Sequence, residues 1–297
     1  MTEPVILHPD KGLVLVDTGY YRFNRYFASL KWYRIVKKGE VDIQNLHEDV
    51  EFMTAVQGHI LNDILRFATF AYLNKPFKIS PVPKTKKIRN KVVFCVDCTR
   101  DSIWRMKHYK DYKGTRKAVA DVNMKVVDMF YEYINMHCVS PTVTGLDVMK
   151  LNAEHLEADD IVYLTLNQAR IAGYKPQVLV ITNDNDFLQL VPLRATVVNA
   201  RALNLEHRAE FDPVTSTMIK VLLGDLSDNI KAVAGVGTKT QAVALAALSE
   251  KERRSWIKEH GDLKAYNLNK KLILLPMIPP RLAQSFTLKY AISVDTN

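Results

Sequence analysis

Three aspartates in this chain stand at the ends of short apolar runs. Leu13–Val16 leads into Asp17, and Val92–Val96 leads into Asp97. Val178–Ile181 leads through Thr182 and Asn183 into Asp184, with Asp186 close behind. One aspartate at such a place can simply cap the helix that follows, because its side chain accepts an otherwise unpaired N–H of the first turn. Two more acidic groups accompany the three: Glu157-Ala158-Asp159-Asp160 ahead of the apolar run IVYLTL, and Asp225-Leu226-Ser227-Asp228. Acids in a first helical turn are favoured by the helix dipole, and acids three apart share a helix face. Nine carboxylates together exceed what capping requires. Gathered without cations, they would repel one another and hold some of their protons. All-oxygen donors of this kind suit two Mg²⁺ or Mn²⁺ ions rather than zinc. A pair of such ions is a general device for phosphodiester hydrolysis.

For these acids to meet, the runs that carry them must lie side by side. Each run is continuous and rich in β-branched residues, as strands covered on both faces are. Helical patterns lie between them: Glu48–Tyr72 makes one, and Val119, Val122, Val126, Phe130 and Tyr133 mark another. The alternation predicts an α/β fold with a mostly parallel central sheet flanked by helices. In such sheets ligands bind outside the carboxyl ends of the strands. After about residue 202 the character turns helical, which predicts an α/β unit over 1–202 and a helical unit over 203–297. The Pro/Lys-rich stretch Asn74–Asn90 reads as an exposed loop.

The 297 residues are 47% hydrophobic, which excludes disorder and a disulfide scaffold. No apolar stretch is long enough to span a membrane, and the N-terminus has no signal-peptide pattern. Three cysteines, an odd and low number, fit a reducing intracellular compartment. The formal charge is +9, with Lys+Arg 41 against Asp+Glu 32. One segment, Lys75–Lys117, holds fourteen of the basic residues and only three acids, so it carries the whole positive balance and suggests a polyanion partner. Its second half, IWRMKHYKDYKGTRK, interleaves aromatics with bases, a pattern suited to base stacking with phosphate contacts. The alternative is a solvated, Lys-rich surface. Cys95 and Cys98 lack the further ligands zinc needs and read as buried thiols. Gly237-Thr238-Lys239-Thr240 lacks the glycine and the preceding strand of a P-loop.

The pieces VDTGYYRF, FCVDCTRDSIWR, YKGTR, LEADD, TNDND, GDLSDNI and AGVGTKTQA follow one another along the chain. In that order the chain resembles the structure-specific 5′-nucleases: flap endonucleases, bacteriophage 5′–3′ exonucleases and the 5′-nuclease domain of bacterial DNA polymerase I. The resemblance runs from about Leu13 to Leu248. It implies a PIN-like nuclease core with a helical arch at about 105–140, then a DNA-binding region with a helix-hairpin-helix-type element near 224–242. By resemblance, Asp17, Asp97, Glu157, Asp159, Asp160, Asp184 and Asp186 hold or orient two Mg²⁺ or Mn²⁺ ions, and Asp225 and Asp228 complete the second site. Lys113 and Arg116 sit at the scissile phosphate, and Tyr112 stacks on a base of the unpaired strand. Arg105 and either Arg22 or Arg25 contact DNA. Gly235, Gly237 and Lys239 belong to the hairpin, whose backbone grips duplex phosphate, with K⁺ bound there in the family.

The implied activity is that of a 5′–3′ exonuclease and flap endonuclease that cuts DNA at 5′ flaps or duplex/single-strand junctions in replication or repair. A chain of this size resembles the phage or viral members, and a monomer is expected. Ala118–Val139, the rest of the arch, is less basic than a threading arch requires. Two other readings stay open at this level: an RNase H-like 5′ exonuclease that removes RNA primers from RNA–DNA hybrids, and a non-catalytic binder of DNA junctions.

Overall fold

The computed structural model describes residues 3–39, 41–69, 90–116, 122–139 and 146–295. Its centre is a five-stranded, wholly parallel sheet in the order β4-β3-β2-β5-β6. The strands are β2 (Gly12–Asp17), β3 (Asn90–Val96), β4 (Val148–Asn152), β5 (Val178–Ile181) and β6 (Ala195–Val198). The three apolar runs form β2, β3 and β5, the inner strands. Their side chains divide by parity. Leu13, Leu15, Val93, Cys95, Val178 and Val180 enter the core on one face. Val14, Val16, Val92, Phe94, Leu179 and Ile181 enter the other. A strand buried on both faces reads as an unbroken apolar run for this reason. The outer strands carry Lys150, Asn152 and Thr196 and lack that signature.

Helices α1 (Thr18–Lys37), α2 (Val50–Thr69) and α3 (Met124–Val139) cover one face. Helix α4 (Ala158–Ile171) covers the other. The chain leaves β2 outward through β3 and β4, then crosses to β5 and β6 on the opposite side. The order therefore reverses at β2, and a crevice opens there beyond the carboxyl ends of β2, β3 and β5.

Helix α3 differs from its expected place in an arch. Val126, Val127, Phe130 and Ile134 are fully buried against the sheet. Its apolar stripe at helical spacing is spent on the core. The arch residues 117–121 and nearly all of the Asn74–Asn90 loop lie outside the described residues, while Asn90 itself opens β3.

The later chain builds a third core around α5 (Pro213–Leu223), α6 (Lys239–Ala246), α7 (Glu250–His260) and α8 (Leu263–Ile273). Ile103 and Tyr112 of the preceding unit pack into it. From Leu275 the chain returns to the sheet. Leu282 and Phe286 of α9 (Pro280–Lys289), and Tyr290 just after it, join the core on the α4 face. Strand β7 (Ile292–Val294) pairs in parallel with β1 (Val5–Leu7). Among the described residues no helix is long and apolar enough to cross a membrane.

Candidate active site

Beyond the carboxyl ends of the inner strands lies an open cleft of about 860 Å³. Asp17 ends β2 and caps α1: its Oδ1 accepts the Tyr20 N–H at 3.1 Å. The Thr182 hydroxyl, at the end of β5, donates to the other oxygen at 2.8 Å. Asp97 follows β3 and accepts the Ala158 N–H at 2.8 Å, tying the first turn of α4 to the strand end. Asp184 accepts the Asp186 N–H at 2.9 Å. Asp17 and Asp184 do act as local caps, and Asp97 holds the start of α4 from far along the chain, yet all three line the same cleft. A Cβ added at Gly19 would lie 2.8 Å from an Asp97 oxygen and 3.4 Å from an Asp17 oxygen. The missing side chain is thus what lets these carboxylates converge. Burial, and then the neighbouring Asp97 charge, push Asp17 up to about 7. Burial likewise raises Asp159, which lines the cleft beside them.

Of the other members of the LEADD group, Asp160 turns inward, and Glu157 lines the cleft while itself buried. Glu157 and Asp160 form a reciprocal capping box at the start of α4. Arg105 lies against both. Its Nη1 is 2.7 Å from Glu157 and 2.9 Å from Asp160, and its Nη2 is 2.8 Å from Asp160. Its Nε donates to the Leu272 carbonyl in the last turn of α8 at 2.9 Å. The Trp104 indole N–H completes the shell of Asp160 at 2.8 Å. Arg105 is 1% exposed and Asp160 is fully buried. Arg105 is therefore no DNA contact, and Asp160 is an anchor without access to the cleft. Tyr112 also departs from its expected role. It is 2% exposed and donates to Glu157 at 3.2 Å, so its ring is not free to stack on a base. The aromatics of the IWRMKHYKDYKGTRK segment that lie deepest, Trp104 and Tyr112, pack inward instead of forming a stacking surface.

Lys113 and Arg116 line the same cleft. The Lys113 ammonium donates to Glu157. Burial works against its charge, but Glu157 and then Asp228 outweigh it and raise the ammonium above its usual range. Those same contacts, from Lys113 and Arg105, overcome burial to hold Glu157 below the usual carboxylate range. Arg116 pairs with Asp228 at 2.6 Å, and the Lys113 N–H donates to the Asp228 carbonyl at 2.9 Å. The YKGTR and GDLSDNI pieces are thus clasped, although over a hundred residues separate them.

Asp225 and Asp228 sit on a loop pinned by paired backbone hydrogen bonds between Asp225 and Ile230, at 2.8 and 2.7 Å. Gly224 makes this loop possible. Its φ is +76°, and a Cβ there would fall 2.3 Å from the Ile230 carbonyl oxygen. Gly224→Ala is expected to lower unfolding free energy by about 2–4 kcal/mol, since strain adds to overlap with backbone. Urea denaturation checks this, and a loss within error would show that the loop tolerates a side chain. Asp186, Asp225 and Asp228 each offer an oxygen within 4.8 Å of the others, as do Glu157, Asp159 and Asp160. Lys220, in the last turn of α5, reaches into the first of these groups. It pairs with Asp186 and lies 2.7 Å from Asp225. Nothing in the amino-acid order singles out Lys220, because a lysine in a last helical turn is ordinary there. Thr182 carries no sequence signal either, and only its hydrogen bond to Asp17 marks it.

Of the two α1 arginines expected to contact DNA, Arg22 lines the cleft, with its guanidinium 4.7 Å from the Tyr131 ring centroid. Arg25 is committed to buried Asp63, away from the cleft. Gly235 has φ +89° and packs against the end of α7, where a Cβ would meet the His260 carbonyl at 2.1 Å. The Gly237 N–H donates to the Gln241 side chain at 3.0 Å, and Lys239 pairs with exposed Glu210. None of these three lines the main cleft. A neighbouring groove of about 410 Å³ connects Asp186 and Lys220 with Arg208 and Lys239.

The donor set fits hard divalent cations: oxygens only, on converging rigid element ends, with Asp17 lacking any basic partner among the described residues in contact with it. Lys113 and Arg116 line the same cleft, and their side chains suit a phosphate.

Residues 12–217 match the family model for the N-terminal, resolvase-like domain of 5′-3′ exonucleases. DNA polymerase I of Mycobacterium bovis is 29% identical over 173 residues, covering 54% of this chain and 16% of the polymerase. The 5′-3′ exonuclease of Buchnera aphidicola is 26% identical over 171 residues, covering 52% of this chain and 53% of that protein. The chain spans about half or less of the length of these curated relatives. The bacteriophage T5 flap endonuclease, solved with DNA and metal ions, aligns with a TM-score of 0.53 at 15% identity, over 93% of this chain and 97% of its own. Another structure of the T5 protein, co-crystallised with metal ions, also gives 0.53, at 16% identity over the same shares. At this identity the likeness is one of fold.

Proposed function

The chain belongs to the 5′-3′ exonuclease family, and on that premise we propose that it is a divalent-cation-dependent 5′-nuclease acting on DNA at 5′ flaps and duplex/single-strand junctions, in replication or repair. The observation that carries this reading is the meeting of Asp17, Asp97 and Asp184, from the ends of three parallel strands, in one cleft that Lys113 and Arg116 also line.

Two Mg²⁺ ions, when bound, would supply charge for the phosphate and a more acidic attacking water. Asp17, Asp97, Asp159 and Asp184 would hold one, and Asp186, Asp225 and Asp228 the other. The chain's own part is positional. Thr182 and the Tyr20 N–H orient the Asp17 carboxylate, so its oxygens are fixed before substrate arrives. Lys113 is steered by Glu157, and Arg116 by Asp228. Both side chains therefore offer N–H groups to a phosphate whose negative charge grows during hydrolysis. Arg22, against Tyr131, supplies a further cation at the cleft edge. The groove toward Arg208 and Lys239 suits the duplex backbone, which is gripped without regard to sequence.

The test is cleavage of a 5′-end-labelled flap duplex with Mg²⁺ and with EDTA. A Mg²⁺-dependent product of flap length supports the endonuclease. Labelled mononucleotide would make it chiefly an exonuclease. A tight, salt-sensitive shift without cleavage would leave a junction binder.

A pH dependence follows from Asp17. A proton and a cation compete for the same oxygens, and the folded protein holds that proton up to about pH 7. Mn²⁺ affinity is therefore expected to weaken as pH falls through that value, by about tenfold per pH unit for one coupled proton, and to level off above it. Titration calorimetry in buffers of different ionisation heat would count the proton. A flat profile would remove Asp17 from the ligands.

A further inference from the structure

The acidic residues of the cleft fall into groups whose charge is balanced in different ways. Glu157 and Asp160 are balanced by Arg105, which is 1% exposed and makes four hydrogen bonds, with Lys113 as a second partner of Glu157. That guanidinium is always charged and has nowhere to go. Asp17 and Asp97 face each other beside Gly19 with no lysine or arginine among the described residues in contact. The third group, Asp186, Asp225 and Asp228, contains a lysine. Lys220 bridges Asp186 and Asp225. Its side chain is 27% exposed, on a flexible four-carbon stem, and it borders both the main cleft and the neighbouring groove.

An ammonium and a divalent cation want the same carboxylate oxygens. Two carboxylates that already share an ammonium gain less from a cation than two that do not, because the cation must first displace it. The Asp17/Asp97 side has no such tenant. We propose that Lys220 is a built-in counter-ion of the second acidic site. It keeps that site closed to a divalent cation until the ammonium swings out, so the Asp17/Asp97/Asp184 side fills first and the second site fills late. The proposal rests on the two-cation reading above. It adds an order to it and makes Lys220 a positioning residue. The exposed side of Lys220 and the groove beside it give the displaced ammonium room to move.

The test uses the full chain and Mn²⁺ alone, without nucleic acid. Wild type, Lys220→Met and Lys220→Arg are titrated by calorimetry, with thermal unfolding followed at each Mn²⁺ concentration. Wild type should bind one Mn²⁺ tightly and a second at least tenfold more weakly. Lys220→Met should bind the second at least tenfold more tightly than wild type. It should also melt lower than wild type without metal and gain more from Mn²⁺. Lys220→Arg, which keeps the charge, should retain the weak second site. If Lys220→Met does not fold, Lys220→Gln removes the same charge with a polar side chain. Two equal sites in wild type, or the same second affinity in the neutral variant, would overturn the proposal while leaving the two-cation reading in place. No Mn²⁺ binding by wild type would overturn both.

Discussion

Asp184→Ala is expected to lower turnover on a 5′-flap duplex by about a thousandfold or more, and to leave affinity for the same duplex within about threefold. Losing a ligand to a bound cation removes several kcal/mol of charge stabilisation, and each 1.36 kcal/mol is about tenfold in rate. The residue suits this test because of where it sits. Asp184 is exposed, and its one structural duty is to accept the Asp186 N–H at the start of a short helical turn. Losing such a cap costs on the order of 1 kcal/mol, which leaves the protein folded. The phosphate contacts proposed for Lys113, Arg116 and the groove toward Lys239 are untouched by the change, so binding is expected to persist. Single-turnover cleavage and a fluorescence-anisotropy titration on one duplex separate the effects. Undiminished cleavage would withdraw Asp184 from the cation ligands. Equal loss of binding and turnover would mean that the substitution had damaged the fold.

Arg105→Met should instead be a stability mutation, costing about 3–5 kcal/mol, the range for breaking a buried ion pair by removing one partner. Asp160 would stay buried without its counter-ion, Glu157 would keep only Lys113, and the Leu272 carbonyl would lose its donor. The matched change Lys113→Met removes a partner of Glu157 from the cleft side, where the side chain is 19% exposed, and should cost clearly less. Urea denaturation of the two variants at one pH makes the comparison. A loss below about 1 kcal/mol for Arg105→Met would contradict the buried network and reopen its reading as a surface contact for DNA. Asp160→Asn combined with Arg105→Met should recover part of the loss, because it removes the orphaned charge.

Much of the site is legible in the amino-acid order. Strands β2, β3 and β5 are buried on both faces, so each has to be an unbroken apolar run, and a polar residue at its end has to mark where the strand leaves the core. That is a local rule, and Asp17, Asp97 and Asp184 obey it. The edge strands β4 and β6 escape the same rule because one side of each meets solvent and tolerates Lys150 or Thr196. Helix α3 shows itself in its 3.6-residue period, but a period says only that a face is covered. It does not say whether the cover is the sheet or a partner across an arch.

The roles of individual charges are a different matter. Asp159 and Asp160 are neighbours in sequence, yet one lines the cleft and the other is sealed behind it, because successive residues on a helix point about 100° apart. Arg105 and Tyr112 look like surface DNA contacts within their own basic segment. Their burial is decided by the Leu272 carbonyl and by α5–α8, packed there from more than a hundred residues away. Lys220 looks like an ordinary helix-end lysine until the fold places Asp186 and Asp225 around its ammonium. The amino-acid order alone determined which residue types reach the sheet's carboxyl edge, since that depends on periodicity and hydrophobicity over a few residues. Which of those charges face the cleft, which neutralise one another and which are buried was decided only by tertiary structure. Desolvation and ion pairing depend on what arrives from elsewhere in the chain.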